Sequence, residues 1–177
     1  MAEIGDPTST IPLEQSGTHG WEPGLRVLSL GLTVALVLLG AVGFLGVRTV
    51  TTSGSGRGYT ISVTHAIVTR PGLATPFTIE IANESGHPLP RRITLRIEAS
   101  YLEMFDENGL EPDPSASFRS EEWIWWTFDV PSSSTEFEAS FDARLEPAVQ
   151  WGRRGSVALE VDGTQMASVS IQTWVMP

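Results

Sequence analysis

The densest group of hard oxygen ligands in the sequence is Asp106-Glu107-Asn108-Gly109, with Glu111 and Asp113 close behind. Carboxylate and amide oxygens at that spacing suit a hard cation such as calcium, which makes Asp106, Asn108, Glu111 and Asp113 the candidate ligands. Aligning Asp106, Asn108 and Gly109 with the third, fifth and sixth places of an EF-hand loop puts Met104 first and Ser115 last, where ligating carboxylates are required. The pattern is incomplete. The competing reading is an Asn-Gly turn in a solvated acidic loop, so no metal or cofactor is assigned.

The second cluster is the run EEWIWWTFDV from Glu121 to Val130. In a strand, successive side chains alternate between faces, which puts Trp126 inside with Ile124 and Phe128 and leaves Trp123 and Trp125 together outside. Three uses of such a pair stay open. The domain's own long loop can cover the indoles, another protein can contact them, or sugar rings can stack on them as in carbohydrate-binding modules.

Catalytic chemistry finds little to work with. The histidines are His19, His65 and His87, no two in a common short motif, and HExxH, GxSxG, SxxK and a glycine-rich phosphate loop are all absent. All eleven basic residues are arginine, which excludes Schiff-base chemistry and the phosphate-loop lysine; without cysteine there is no thiol catalysis, thiolate metal site or disulfide. With 21 acidic residues and a net charge of −10, the chain is unsuited to nucleic acid, and for the same reason attraction to an anionic lipid surface is disfavoured. The expectation is a protein that is not an enzyme.

The elements that position these clusters read plainly. Val27 to Val47 is free of charge between Arg26 and Arg48, and its roughly 31 Å as a helix matches a hydrocarbon core of about 30 Å. A single transmembrane helix is expected over 25–48, with Trp21 as interfacial anchor and Arg26 and Arg48 as its charged flanks. Ser29 and Thr33, Gly31 and Ala35, and then Gly40, Gly43 and Gly46 offer close-approach positions for another helix. Residues 1–24 read as a disordered tail. Residues 49–58, containing TTSGSGRG, read as a flexible Gly/Ser linker with a reach of about 15 Å.

From Tyr59 to the end the hydrophobic period is two. Half-buried strands are expected around Tyr59–Val63, Phe77–Ile81, Ile93–Ala99, Ile124–Val130, Phe137–Leu145, Val157–Val161 and Ala167–Ile171. A long loop spans Leu102 to Glu122 with a short edge strand near Phe118, and Asp162-Gly163 marks a hairpin. Seven or eight short strands of this kind predict an all-β domain over 59–177, an antiparallel sandwich of the immunoglobulin or fibronectin type III sort.

The stretches YTISVTH (59–65), RPGLATPFTIEI (70–81), YLEMFDENGLEPDPS (101–115), FDARLEP (141–147) and TWVMP (173–177) resemble a group of uncharacterised actinobacterial single-pass membrane proteins, each a span followed by a small β-domain. The resemblance covers roughly residues 58–177 and brings no catalytic motif. It implies a membrane-anchored domain of the cell envelope in a high-GC Gram-positive bacterium.

The function expected from all this is an accessory protein whose helix and juxtamembrane β-domain dock onto a larger complex in the same bilayer. Its partners would be integral membrane proteins and membrane lipid. The alternative is a cell-wall glycan-binding or sensing module using Trp123 and Trp125. Arginine counts lean slightly toward a cytoplasmic β-domain, but the bias is one residue and long domains translocate largely regardless of it. The expected orientation is therefore N-terminus inside and β-domain outside the cell.

Overall fold

A computed structural model describes residues 22–41 and 46–176, the side chains of Glu22, Glu107 and Asn108 excepted. Trp21 and most of the expected N-terminal tail lie outside the described residues. The chain divides into two compact units, residues 1–44 and 45–177.

The first unit contains helix α1, Glu22–Ala41. Its Pro23–Ala41 stretch has a mean hydropathy of 2.0, none of it buried, and is long and apolar enough to cross a membrane. Pro23 sits in the first turn, where its missing N–H costs nothing. Two polar side chains on the helix satisfy themselves locally, Ser29 Oγ donating to the Arg26 carbonyl at 3.0 Å and Thr33 Oγ1 to the Ser29 carbonyl at 2.9 Å. Neither hydroxyl needs a partner helix. The expected helical range of 25–48 is corrected at its far end: Arg48 opens a strand, and Gly46 is already in a bend.

The second unit is built from β1 (Arg48–Gly56), β2 (Tyr59–Thr69), β3 (Ala74–Asn83), β4 (Arg92–Glu98), the short helix α2 (Ala99–Leu102), β5 (Phe105–Glu111), β6 (Ala116–Arg119), β7 (Trp123–Asp129), β8 (Glu136–Leu145), β9 (Arg153–Val161) and β10 (Thr164–Val175). Nine strands follow one hydrogen-bonded path, β5-β8-β3-β2-β10-β9-β4-β7-β6, and β1 pairs with β2 beside it. The path has a single narrow joint. β10 runs parallel to β2 through only two residue pairs, Trp174 with Val68 and Val175 with Thr69.

The sheet curls so that its two halves share one core. Trp126 of β7 meets Phe141 of β8 edge-on, ring centroids 5.8 Å apart, and Phe128 of β7 meets Phe137 of β8 at 5.0 Å, although β7 and β8 lie near opposite ends of the path. Ile61, Val63, Phe77, Ile79, Ile81, Ile93, Leu95 and Ile97 fill the space between. Register shifts in β1, β5 and β10 supply local twist that favours the curl. The all-β expectation and its period-two faces hold, but the structure is a curled open sheet, a half-barrel, rather than a clear immunoglobulin-type sandwich.

The expected Gly/Ser linker at 49–58 is also corrected, because most of it is strand β1, antiparallel to β2 from Arg48 to Gly56. β-Branched Thr49, Val50, Thr51 and Thr52 favour the extended chain. Arg57 and Gly58, both at positive φ (49° and 84°), turn it into β2. The glycines serve closeness rather than flexibility. A Cβ at Gly54 would collide with the Ser168 carbonyl, and one at Gly56 with the Met166 carbonyl, so β1 can lie against β10 only without side chains there.

Candidate functional site

The outward face of β6, β7 and β4 carries the most distinctive surface chemistry of the β-domain. Strand β7 alternates as the sequence requires, with Ile124, Trp126 and Phe128 buried and Trp123, Trp125 and Thr127 half-buried on the other side. Cross-strand pairing places Phe118 of β6 beside Trp125 and Trp125 beside Arg96 of β4. Phe118 and Trp125 pack with ring centroids 5.3 Å apart and planes tilted by 44°, yet Phe118 remains 64% exposed. The long loop therefore supplies a partner for Trp125 without covering the face.

Arg96 organises the rest. Its guanidinium lies 4.5 Å from the centroid of the Trp123 ring, while Nη1 pairs with Glu160 Oε1 at 2.9 Å and Nη2 donates to Gln165 Oε1 at 2.7 Å. Nε is shielded and without a hydrogen-bond partner. The side chains of Arg96 and Glu160 are only 26% and 13% exposed, so this ion pair is screened less than one on open surface. The result is a fixed strip, Phe118, Trp125, Arg96 and Trp123. Sequence reasoning found the two indoles and missed Phe118 and Arg96 as their neighbours, since the register joining three strands is not visible in any one of them.

No family model matches the chain, and neither does any curated protein.

The acidic candidates are arranged differently. β5 lies at one end of the strand path, with Asp106 opposite Arg144 and Glu111 opposite Ser140 of β8, and a register shift between Asn108 and Glu111 around Gly109 at φ 68°. Asp106 and Glu111 are thus spread along an extended strand, and Asp113 is exposed beyond its end. The side chain of Asn108 lies outside the described part. Among the described residues, no three His, Cys, Asp or Glu side chains come together in a way that could hold a metal ion. Of the proposed span anchors, Arg26 is exposed on α1 and Arg48 is the first residue of β1.

A buried polar chain lies where the two halves of the sheet join. Thr173 Oγ1 donates to the Ala66 carbonyl at 2.6 Å, and because a hydroxyl has one hydrogen, the Tyr101 hydroxyl must donate to Thr173 Oγ1, 2.7 Å away. His65 Nδ1 lies 3.1 Å from the same carbonyl, which can only accept, so Nδ1 carries the proton and Nε2 faces Thr52 Oγ1 at 3.4 Å. Burial lowers the His65 pKa, a tendency opposed in part by the bond to Ala66. Burial likewise raises the Tyr101 pKa to about 12, opposed in part by the bond to Thr173. Gly155 completes the packing, since a Cβ there would come 2.5 Å from Tyr101 Cβ. This arrangement fixes strands β1, β2 and β10 together and shows no open nucleophile. Ala66 and Tyr101 lie 107 and 72 residues from Thr173 in sequence, and no local motif announces the set.

Proposed function

We propose that the chain is a non-enzymatic membrane-anchored interaction protein, which docks through its β-domain and helix onto a larger membrane protein complex. The observation that carries this reading is the strip Phe118, Trp125, Arg96 and Trp123. Aromatic side chains and arginine dominate the energetics of protein contacts, and here Arg96 is already held in place by Glu160 and Gln165, so little ordering remains to be done on binding. Helix α1 supports the anchor. From Ala41 to Arg48 the chain can extend at most about 24 Å, which keeps any partner of the domain close to the bilayer.

The glycan-binding alternative is less well served by the same strip. Sugar rings stack on open aromatic faces, whereas one face of Trp123 is covered by the Arg96 guanidinium and Trp125 is tilted against Phe118. The resemblance to envelope proteins of actinobacteria and the usual placement of anchored β-domains favour the β-domain outside the cell.

Native purification of the full-length protein from membranes tests the proposal. Wild type should recover the same integral membrane proteins reproducibly, and Phe118→Ser with Trp125→Ser should lose them without loss of the protein itself. Retention on insoluble cell wall that depends on the same residues would replace this reading with the glycan-binding one. Protease treatment of intact spheroplasts tests orientation, and a β-domain protected until lysis would reverse it.

A further inference from the structure

Glycine brings β1 onto β10 over only part of its length. At Gly54 and Gly56 the strand lies on the Ser168 and Met166 carbonyls, but from Thr52 back to Val50 it carries side chains again. There a groove of about 610 Å3 opens, with β1 and β2 on one side and the outward face of β10, β9 and β4 on the other. Val50 and Ile67, each close to two-fifths exposed, form an apolar wall together with Ile171. The other side is polar, and register sets its rows, Ser170 opposite Ser156 and Gln172 opposite Arg154. Grooves of this size, part apolar with a few fixed polar groups, are those that hold small molecules.

Two opposite charges line the groove without neutralising each other. Glu98 Oε1 accepts from Ser100 Oγ at 3.1 Å, and Arg154 Nε donates to the neutral Gln172 amide oxygen at 3.1 Å. Among the described residues neither side chain joins an ion pair. Register gives the reason. Ile97 is opposite Val157, so Glu98 is level with Ser156 and Arg154 lies on a diagonal of the β4–β9 pair. Arg96, level with Ala158, uses the other diagonal to reach Glu160 at 2.9 Å, and sheet twist makes the two diagonals unequal. A third group lines the same groove. His65 is 2% exposed with Nδ1 committed to the Ala66 carbonyl, and its Nε2 finds only Thr52 Oγ1 at 3.4 Å, longer than a good hydrogen bond.

We propose that the groove binds a short apolar peptide as a zwitterion, its ammonium group at Glu98, its carboxylate at Arg154 and its side chains against Val50, Ile67 and Ile171. The charges of Glu98 and Arg154 sum to zero, which disfavours a simple anion or cation, whereas two unpaired opposite charges complement a ligand that carries both. Their spacing selects among zwitterions. Diagonal positions across a strand pair are about 7–8 Å apart, while in a free α-amino acid both charged groups sit on one carbon. One further residue adds about 3.3–3.6 Å of reach, so a dipeptide meets both groups. Its peptide N–H then faces Thr52 Oγ1, which accepts it while turning its own hydrogen to His65 Nε2.

The test titrates the full-length protein in detergent micelles, its histidine rings isotope-labelled for magnetic resonance, with leucyl-leucine. The expected result is a saturable movement of the His65 ring signals, assigned by their loss in His65→Gln, while those of His87, outside the groove, stay in place. Capping either end of the peptide, as N-acetyl-leucyl-leucine or leucyl-leucinamide, should weaken binding about tenfold or more, and so should Glu98→Gln or Arg154→Gln. A cap and its matching substitution should not add. Glu98→Gln should leave the affinity for N-acetyl-leucyl-leucine nearly unchanged, and Arg154→Gln that for leucyl-leucinamide. His65 signals that stay in place throughout the titration overturn the inference. Equal affinity for the doubly capped N-acetyl-leucyl-leucinamide also overturns it, as do losses from cap and substitution that simply add, since the charges would then not touch the peptide.

Discussion

Two outward faces of the same curled sheet obey the same period-two alternation and carry opposite chemistry. On the central stretch of β1, β2 and β3 the outward face is lined by hydroxyls and carboxylates, among them Thr60, Ser62, Thr64, Thr78 and Glu80. Thr51 and Thr64 lie 2.7 Å apart, Ser53 and Ser62 2.8 Å, and Ser55 and Thr60 3.0 Å, each oxygen to oxygen across the strand pair. Thr60 Oγ1 donates to Glu84 at 2.6 Å, and hydrogen bonds from Thr60 and then Ser55 hold the Glu84 carboxyl below its usual pKa. Glu80 and Glu138 face each other directly in the β3–β8 register. On β4, β6 and β7 the equivalent positions add Arg96, Phe118, Trp123 and Trp125 to a single hydroxyl pair, Thr94 with Thr127 at 3.1 Å. Alternation decides only which side chains leave the core. Whether the face they form is a solvated one or a contact surface depends on residue type and on which strands the topology makes neighbours.

The largest predicted effect lies beneath the aromatic face. Trp126→Ala removes a buried indole that packs on Phe141, and should cost about 3–5 kcal/mol in denaturant melts. A variant nearly as stable as wild type would mean that β7 does not face the shared core. Next is Arg96→Ala, which leaves Glu160 without its cation and Trp123 without its cover. A loss of about 1.5–3 kcal/mol is expected, and Glu160→Gln in the same background should recover part of it.

Changes to the exposed aromatics should be milder in stability and stronger in binding. Phe118→Ser should cost about 0.5–1.5 kcal/mol, the range of one aromatic pair. If Trp123→Ser and Trp125→Ser destabilise as much as Trp126→Ala does, the strip belongs to the fold and the contrast between the two faces collapses. On the hydroxyl-rich face the sign reverses. Glu138→Thr removes a like-charge pair with Glu80 and should stabilise by about 0.2–1 kcal/mol, an effect that salt should shrink.

Acid tests the joint between the halves. The His65 pKa is lowered in the fold, so the unfolded chain binds its proton first. The stabilisation due to neutral His65 is complete above the ordinary value of 6.5 and is lost as pH falls from there through the lower folded value. Thermal melts should therefore fall with pH in a window above that of the carboxylates, and His65→Gln should flatten that window. An unchanged profile in the variant would remove His65 from the account.

Much of the β-domain was legible because a two-residue period survives any topology. The inner faces of β2, β3, β4, β7 and β8 follow from Ile61, Val63, Phe77, Ile79, Ile93, Leu95, Trp126 and Phe141 with no knowledge of neighbours. Strand β1 was not legible, since Gly54 and Gly56 read as linker residues until the backbone of β10 is placed against them. β5 was hidden in the same way by Asn108-Gly109, which reads as a turn and sits at a register shift. At the candidate surface, Trp123 and Trp125 were legible and Arg96 was not. Its partners come from β7, β9 and β10, and only the strand order brings them within reach.

The most direct test of the central claim places a photo-crosslinking amino acid in the full-length protein in its native membrane, at position 118 in one sample and at position 138 in the other. These positions sample the aromatic and the acidic face of one fold, and the native side chain at each is exposed to solvent. Discrete adducts to integral membrane proteins from position 118, absent from position 138 and lost with Trp125→Ser, are the predicted result. Equal labelling from both positions, or adducts confined to cell-wall material, would contradict a docking role for this face.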